Sequence, residues 1–249
     1  MAAVAQPVVE VAVDSLPAAL LAVDAGAGRL ELCAGLGEGG STPSLGLLEA
    51  VRAAVAVPVF VLVRPRAGSF VLEPGEQDLV RRDIELAVAA GADGVVVGAL
   101  TAEGSLDLAA LQAWRDAAPG ASFTVHRAFD EVSDRVAALE DLGRLGFTRV
   151  LTTGGADSVE EGLAGLASHA RLCEADPVLP RALPGGGVRA ANAAAVLEAS
   201  GGLELHTSAR TATSRALDAG PRFGALCLPD PGEVARLVEA ATAAAALRS

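Results

Sequence analysis

The chain has 249 residues, 51% of them apolar, and a formal net charge of −12 at neutral pH. This charge argues against nucleic acid or an anionic membrane as the main partner, because either would repel it. All 19 basic residues are arginine, which excludes Schiff-base chemistry by a lysine. No apolar run approaches the roughly 18 residues of a membrane helix, and the first residues lack the basic region of a signal peptide. We therefore expect a cytoplasmic protein.

The cysteines point to the same compartment. Cys33, Cys173 and Cys227 lie far apart and form no CxxC motif. An odd count without a framework suits a reducing cytoplasm and excludes a disulfide scaffold. We expect Cys173 and Cys227 to be structural. The only methionine is Met1, so a Met-rich copper(I) site is excluded as well.

Apolar, β-branched runs alternate with amphipathic, Ala- and Leu-rich runs along the chain. In chain order, they predict strands at residues 8–13, 29–33, 58–63, 93–97, 122–126, 149–152, 178–183 and 203–206. The helices that follow them are predicted at residues 16–25, 45–55, 75–90, 107–117, 133–145, 158–174, 190–199 and 231–247. Ser15 is the predicted N-cap of the first helix, and Gly26 ends it.

Eight βα units fill the chain without a linker or a break in composition. They predict one α/β domain over residues 1–249, a (β/α)₈ TIM-like barrel. A doubly wound open sheet is the alternative. It is disfavoured because no GxGxxG follows the first strand, and the GLGEGG run at residues 35–40 follows the second strand instead.

Polar residues cluster where the predicted strands end, which is where a (β/α)₈ barrel carries its active site. The candidates are Glu10, Asp14, Glu31, Cys33, Arg64, Arg66, His126, Arg127, Asp130, Thr152, Thr153, Gly154, Gly185, Gly186, Gly187, His206, Ser208 and Arg210. Two of the three histidines are among them, so we expect a functional site at this face.

Four arginines in this set predict a bound anion. Arg64, Arg66, Arg127 and Arg210 carry planar guanidinium groups, which match carboxylate and phosphate geometry. For Arg64 and Arg66, salt bridges to neighbouring carboxylates at the barrel rim are the alternative. The Gly185–Gly187 triplet lets the backbone approach an anion, in the loop where such barrels often bind phosphate, or it forms only a tight turn.

Acid–base chemistry is the second indication. His126 could serve as acid or base if it pairs with Asp130 or Glu31, or it could be a hydrogen-bonded core histidine. Glu10 and Glu31, on adjacent strands, could divide into an acid and a base or bind a divalent cation. Alternatively, each pairs with an arginine across the barrel. An ion-pair network that closes the barrel top would also explain the His–Arg–Asp cluster.

Seven motifs occur in a recognisable order: GRLELCAGLGEGGSTPS, VPVFVLVRPRAGSF, DGVVVGAL, FTVHRAFD, RVLTTGG, PGGGV and ELHTSAR. Together they resemble the CutC family of copper homeostasis proteins over residues 8–210. The resemblance implies a TIM-like barrel, a cytoplasmic location and a homo-oligomer, either a dimer or a tetramer. It also implies a copper role and places the family's motif positions at Glu10, Glu31, Cys33, Arg64, Arg66, His126, Arg127, Asp130, His206, Ser208 and Arg210.

Copper binding in the family is ascribed to cysteines, and here Cys33 alone matches. One thiol without a methionine is a poor copper(I) site, because that ion favours two or three soft ligands; a buried structural thiol is the alternative. Three hypotheses follow. The protein handles copper, or it is an enzyme on a small phosphorylated or carboxylated metabolite, or it is a non-catalytic sensor of the same anion. In the second, His126 with Glu10 or Glu31 transfers the proton and the arginines and glycines hold the anion.

Overall fold

Ten strands, eight α-helices and two short 3₁₀ helices, Leu36–Glu38 and Arg127–Glu131, lie in the described part of the chain, which is residues 6–210, 216–217 and 226–247 of a computed structural model. The strands are β1 Val8–Val13, β2 Arg29–Leu32, β3 Val59–Leu62, β4 Gly94–Val97, β5 Ser122–Val125, β6 Arg149–Thr152, β7 Arg181–Pro184, β8 Glu204–Thr207, β9 Ala216–Leu217 and β10 Leu226–Cys227. The helices are α1 Leu16–Asp24, α2 Leu45–Ala54, α3 Pro74–Ala89, α4 Leu108–Ala117, α5 Arg135–Arg144, α6 Leu163–Ala175, α7 Ala193–Ser200 and α8 Pro231–Ala246.

The first eight strands form one parallel sheet in the order β7-β6-β5-β4-β3-β2-β1-β8. Strand β8 pairs with β1, and β7 contacts β8, so the sheet curls into a nearly closed barrel. Helices α1 to α8 alternate with these strands. The predicted (β/α)₈ barrel is therefore confirmed. A separate antiparallel pair, β9 with β10, lies in the long connection before α8.

Side chains alternate between the two faces of each barrel strand, as strand geometry requires. In β1, Val9, Val11 and Val13 belong to the main apolar core that the strands share with the helices. The intervening Glu10 is buried inside the barrel, and Ala12 lines the cavity at its mouth. This alternation brings polar side chains from several strands into one interior.

Helix N-caps agree with the sequence at the first helix, where the Ser15 hydroxyl accepts a hydrogen bond from the amide of Ala18. Helix α6 differs, because it begins at Leu163 instead of residue 158. Turns occupy residues 154–162, and Gly154 and Gly162 pack there so closely that no Cβ would fit between their backbones. Packing of the turn against strand β6 therefore overrides the helical periodicity.

Strand β7 also begins later than predicted, at Arg181 instead of residue 178. The side chain of Asp176 accepts a hydrogen bond from the amide of Val178, which makes these residues a turn. Pro180 then has no amide hydrogen to donate to a ladder, so the strand starts after it.

Within the described ranges, no helix combines the length and apolar character that crossing a membrane requires.

Candidate functional site at the barrel mouth

A cavity of about 470 Å³ opens at the carboxyl ends of the barrel strands. Nine predicted site residues line it: Glu31, Arg64, His126, Arg127, Asp130, Gly186, Gly187, His206 and Ser208. Strands β2, β3, β5, β7 and β8 or the loops that follow them carry these residues. The convergence arises because carboxyl ends of parallel strands meet at the same end of a barrel.

The floor of this cavity is formed by Glu31 and His206, which line it, and by Glu10, which is buried behind His206 and outside the lining. Nδ1 of His206 lies 2.7 Å from Oε1 of Glu10, and Nε2 of the same ring lies 3.9 Å from Oε2 of Glu31. One ligand atom from each of the three residues falls within 4.8 Å of the others, and all three residues are buried. In the described part of the chain this is the one group of three such residues close enough to hold a metal ion.

Below this floor, two arginines balance two glutamates. Arg29 donates to Glu10 through Nε and to Glu204 through Nη2, the latter at 2.6 Å. Arg149 Nε lies 3.8 Å from a carboxylate oxygen of Glu204, and both guanidinium groups lie over the ring of Phe60, at 5.1 Å from its centroid for Arg29 and 4.8 Å for Arg149. Glu10 therefore pairs with Arg29, its direct neighbour on the adjacent strand β2, and not with an arginine across the barrel, which was the alternative.

The two glutamates of the floor have opposite electrostatic environments. Burial raises the pKa of Glu10, but Arg29 and His206 outweigh it and lower the value to about 2. Glu31 is equally buried but has no salt bridge to an arginine, and burial with the neighbouring Glu10 outweighs His206 and Arg29 and raises its pKa to about 7. Burial lowers the pKa of His206, but Glu31 and Glu10 outweigh it and raise the value. The pKa values of Glu31 and His206 are therefore both raised, and the nearest nitrogen and oxygen of the two side chains lie 3.9 Å apart.

His126 stands apart from both carboxylates that we expected as partners. Its Nδ1 accepts a hydrogen bond from the amide of Ala128 at 3.1 Å, which leaves the proton of the neutral ring on Nε2. Its ring centroid lies 4.7 Å from that of Phe70, and Gly98 leaves the space that the ring fills. Burial and the nearby Arg64 guanidinium lower the pKa of His126 to about 3. At neutral pH it is therefore a hydrogen-bond donor and not a base.

Asp130 holds the loops after β5 and β6 together. Its carboxylate accepts hydrogen bonds from the hydroxyl of Thr152, the amide and hydroxyl of Thr153, and the amide of Gly155. It also accepts one from Nε of Arg127 at 3.0 Å. Because these donors occupy both carboxylate oxygens, Asp130 positions Arg127 and is not the partner of His126.

The glycine triplet after β7 forms part of the cavity wall. Gly186 and Gly187 line the cavity and have φ angles of +84° and +98°, a region that side chains rarely adopt. Gly185 continues the ladder instead, donating its amide hydrogen to Thr152, and is not among the lining residues. Ser208 lines the cavity from the adjacent loop, followed by Ala209 with a φ of +48°.

The remaining predicted arginines have different surroundings. Arg64 lines the cavity, donates to the carbonyls of Gly40 and Gly68, and stacks on Phe70 at 5.1 Å. Arg66 lies outside the cavity lining and forms a salt bridge with Glu76.

Arg210, also outside the lining, pairs with Asp14 at 3.0 Å. Rim salt bridges therefore account for the contacts of Arg66 and Arg210, whereas Arg64 and Arg127 remain in contact with the cavity.

Cys33 is fully buried inside the barrel, beside Phe60, Leu62 and Val96. Its thiol lies 3.4 Å from the carbonyl oxygen of Val13 and donates to it. Burial, followed by nearby carboxylates, raises the pKa of this thiol well above its ordinary value. The side chain thus has the environment of a buried structural thiol.

The other two cysteines do not join it. Cys173 lies against the carbonyl of Pro180, which also bonds Nε2 of His169, as expected for structural residues. The side chain of Cys227 is outside the described residues, as is Met1.

Sequence reasoning missed three residues of this region. Arg29 and Arg149 open β2 and β6 and lie beneath the floor, whereas Arg189, after the glycine triplet, lines the cavity. Arg189 donates to the carbonyl of Arg210, which ties the loop after β8 to that after β7. An arginine at the first position of an apolar strand was the available signal for the first two, since such a residue needs a buried carboxylate.

Fold and site together define a class of protein: a (β/α)₈ barrel with a buried Glu–His–Glu cluster at the floor of a polar cavity. Residues 7–211 match the model of the CutC family. The copper homeostasis protein cutC homolog of Homo sapiens is 44% identical over 214 residues, which cover 86% of this chain and 76% of the human protein. A CutC family protein of Xanthomonas campestris pv. campestris is 45% identical over 201 residues, covering 81% of this chain and 82% of the relative. The chain belongs to the CutC family.

Solved structures agree. The crystal structure of CutC from Streptococcus agalactiae superposes with a TM-score of 0.76 at 29% identity, covering 82% of this chain and 99% of that one. Phosphoribosylanthranilate isomerase from Thermotoga maritima reaches a TM-score of 0.59 at 12% identity, covering 96% of this chain and 100% of that one. At that identity the likeness concerns the fold alone.

Proposed function

We propose that this protein acts in copper homeostasis, the role for which its relatives are named, and that it binds copper at the cavity floor. The observation that carries this proposal is the Glu31–His206 pair, with Glu10 behind it. Glu10 holds Nδ1 of His206, which leaves Nε2 for a metal ion next to the carboxylate of Glu31. A histidine that ligates a metal commonly has its other ring nitrogen held by a carboxylate in this way.

The donor set favours copper(II) over copper(I). Imidazole nitrogen and carboxylate oxygen suit copper(II), whereas copper(I) selects thiolate and thioether sulfur. Cys33 is a buried, protonated thiol, and no second sulfur ligand lies beside it among the described side chains. We therefore place copper on Glu31 and His206, in contrast to the thiol that the family resemblance suggested.

Calorimetric titration with copper(II) tests this placement. Glu31→Gln keeps the size and hydrogen bonding of a protonated Glu31, so we expect it to fold and to bind copper(II) at least tenfold more weakly, as loss of a metal ligand implies. The matched control is Glu38→Gln, which removes an exposed carboxylate at the rim of the same cavity. Cys33→Ser should leave copper(II) affinity unchanged. If Cys33→Ser removes copper binding and Glu31→Gln does not, the proposed site is wrong.

A second candidate function is acid–base catalysis on a small phosphorylated or carboxylated metabolite. It is favoured by the cavity-facing carboxyl of Glu31, whose pKa of about 7 suits proton transfer at neutral pH. Glu10 is held by Arg29 and His126 is a neutral donor, so Glu31 replaces both as the base in this scheme. A metabolite that binds Glu31→Gln normally but is turned over only by the wild type would support catalysis. Equal turnover by both would exclude Glu31 as the base.

Cytoplasmic location and a homo-oligomeric state belong to the same proposal. The odd number of cysteines supports the first, and the family resemblance supports both. Light scattering coupled to size exclusion would give the oligomeric state directly, and a monomer at micromolar concentration would contradict the second.

A further inference from the structure

We propose that the loops after β7 and β8 form a phosphate-binding subsite at the wall of the cavity, built from Gly186, Gly187, Ser208 and Arg127. The ligand would be the phosphoryl group of a small metabolite. This inference does not depend on copper binding at Glu31 and His206, because it uses other residues of the cavity lining and a different chemistry.

Backbone amides are the first part of the subsite. The carbonyl of Gly186 accepts from the amide of Val159 at 2.9 Å, and the carbonyl of Gly187 accepts from Nδ2 of Asn192 at 3.0 Å. The amide hydrogens of Gly186 and Gly187 have no acceptor among the residues that the structure describes. Both glycines line the cavity and both have positive φ. Adjacent backbone amides in a turn form a concave site that suits an anion.

Arg127 supplies the charge. Its Nε is held by Asp130 at 3.0 Å, and Nη2 lies 3.5 Å from the hydroxyl of Thr153. Nη1 has no acceptor in the described ranges, and a Cβ built on Gly186 would lie 3.4 Å from it. A guanidinium that is fixed at one edge and unbonded at the other is oriented for an oxyanion beside the glycine loop.

Ser208 completes the subsite from the neighbouring loop. It lines the cavity, and its hydroxyl has no hydrogen-bond partner among the described residues. The next residue, Ala209, is the one non-glycine residue with a positive φ in the described part of the chain. A buried alanine in this region is strained, and such strain is concentrated at ligand sites, where the surrounding structure imposes it. The strain at Ala209 is explained if this turn holds the hydroxyl of Ser208 toward a ligand in the cavity.

Binding of inorganic phosphate to the purified chain tests the subsite. Titrations would be run with chelator present, so that a failure here is distinct from a failure of copper binding, and with acetate at matched ionic strength as the comparison. We expect phosphate to bind the wild type and to bind Arg127→Gln about tenfold more weakly, the usual loss for a hydrogen bond to a charged group. Ser208→Ala should also weaken it, by a smaller factor.

The matched control is Arg144→Gln. Arg144, like Arg127, pairs with an aspartate three residues away, Asp141, but it lies at the exposed end of α5. Arg127→Gln also leaves Asp130 without its guanidinium partner. Arg127→Lys, which keeps the positive charge, and Ser208→Ala, which does not change Arg127, would therefore be measured by the same titration. Phosphate affinity that is absent in the wild type, no greater than that for acetate, or unchanged in both Arg127→Gln and Ser208→Ala would overturn the proposal.

Discussion

Nδ1 of His206 lies 2.7 Å from a carboxylate oxygen of Glu10, although the two residues are 196 positions apart. The contact follows from the pairing of β8 with β1, in which Glu10 and His206 are direct neighbours. Closing the barrel and assembling the cavity floor are therefore the same structural event. The hydrogen bond also fixes which nitrogen of His206 remains for Glu31 or for a metal ion.

Arg29 should be required for stability, because it is the guanidinium that neutralises buried Glu10. Its side chain is 7% exposed, and Arg29→Met would leave Glu10 without that partner. Removing one member of a buried pair costs about 3–5 kcal/mol. We expect a loss of that size in the free energy of unfolding measured by urea denaturation.

The control is Arg81→Met, which breaks an exposed pair with Glu85 on α3. Such pairs contribute at most about 1 kcal/mol. Similar losses in the two variants would mean that the buried network does not stabilise the fold.

Stability should depend on pH through Glu31. Its folded pKa of about 7 exceeds the ordinary value of 4.5, so between these values the folded chain keeps a proton that the unfolded chain releases. The contribution of Glu31 to the free energy of unfolding is therefore fully present below about pH 4.5 and is lost as the pH rises through about 7. His206, whose pKa is also raised, acts in the same direction above its ordinary value of 6.5. Glu10 and Arg29, the other charged groups that act on Glu31, stay ionised across this range.

The comparison of metal-free wild type with Glu31→Gln measures this effect, together with the part of the His206 shift that Glu31 causes and that has the same sign. From about pH 4.5 to pH 8, their difference in unfolding free energy should shift in favour of the variant by an amount on the order of 3 kcal/mol. Neutral His126 acts in the opposite sense, since its pKa is lowered, but it is present in both proteins. A difference that is constant with pH would show that Glu31 titrates normally.

Gly98 should not tolerate a side chain, because the ring of His126 occupies the space. A Cβ at Gly98 would lie 2.6 Å from Nδ1 of His126, and Phe70 stacks on the same ring. Overpacking of this kind costs about 1–3 kcal/mol, which thermal or urea unfolding of Gly98→Ala would measure.

Gly46→Ala is the matched control. Gly46 is an exposed residue in the first turn of α2, with no atom within 4 Å of an added Cβ. Alanine there should stabilise the protein by about 0.5–1 kcal/mol. If Gly98→Ala and Gly46→Ala both change the free energy of unfolding only slightly, the ring of His126 can move away from an added Cβ at position 98.

Cys33 should resist alkylation in the native protein. The thiolate is the reactive form, and burial both raises the pKa of this thiol and blocks access to it. With iodoacetamide at about pH 8 and peptide-resolved mass spectrometry, Cys33 should react only as fast as the chain unfolds. The same sample in denaturing urea gives the reference rate. Rapid native labelling would indicate that the barrel interior opens, and would restore Cys33 as a candidate metal ligand.

Much of the fold was predictable because its signals are local. The eight βα units, the Ser15 cap and the end of the first helix near Gly26 each depend on residues close in sequence. The start of α6 was not predictable, because the packing of Gly154 against Gly162 decides it. Position at a strand end likewise predicted which residues approach the cavity, including Glu31, His126 and His206.

The hydrogen-bond and salt-bridge partners of the site residues were not predictable from the sequence. His126 was expected to meet Asp130 or Glu31, but its backbone turn gives it the amide of Ala128, while Asp130 accepts donors from the next loop. Arg66 and Arg127 looked equivalent in sequence, yet Arg66 reaches a helix on the outer side and Arg127 faces the glycine loop.

By itself, the sequence determined the (β/α)₈ architecture, the face that carries the polar residues and the family. These depend on hydrophobic periodicity, on turn and cap residues and on ordered motifs, all of which are written locally along the chain. Only the tertiary structure decided that Arg29 neutralises Glu10, that Glu31 lies beside His206 without an arginine partner, and that His126 is a neutral donor. Those outcomes depend on strand register, on barrel closure and on how far each charge is removed from water, and no local pattern encodes these distances.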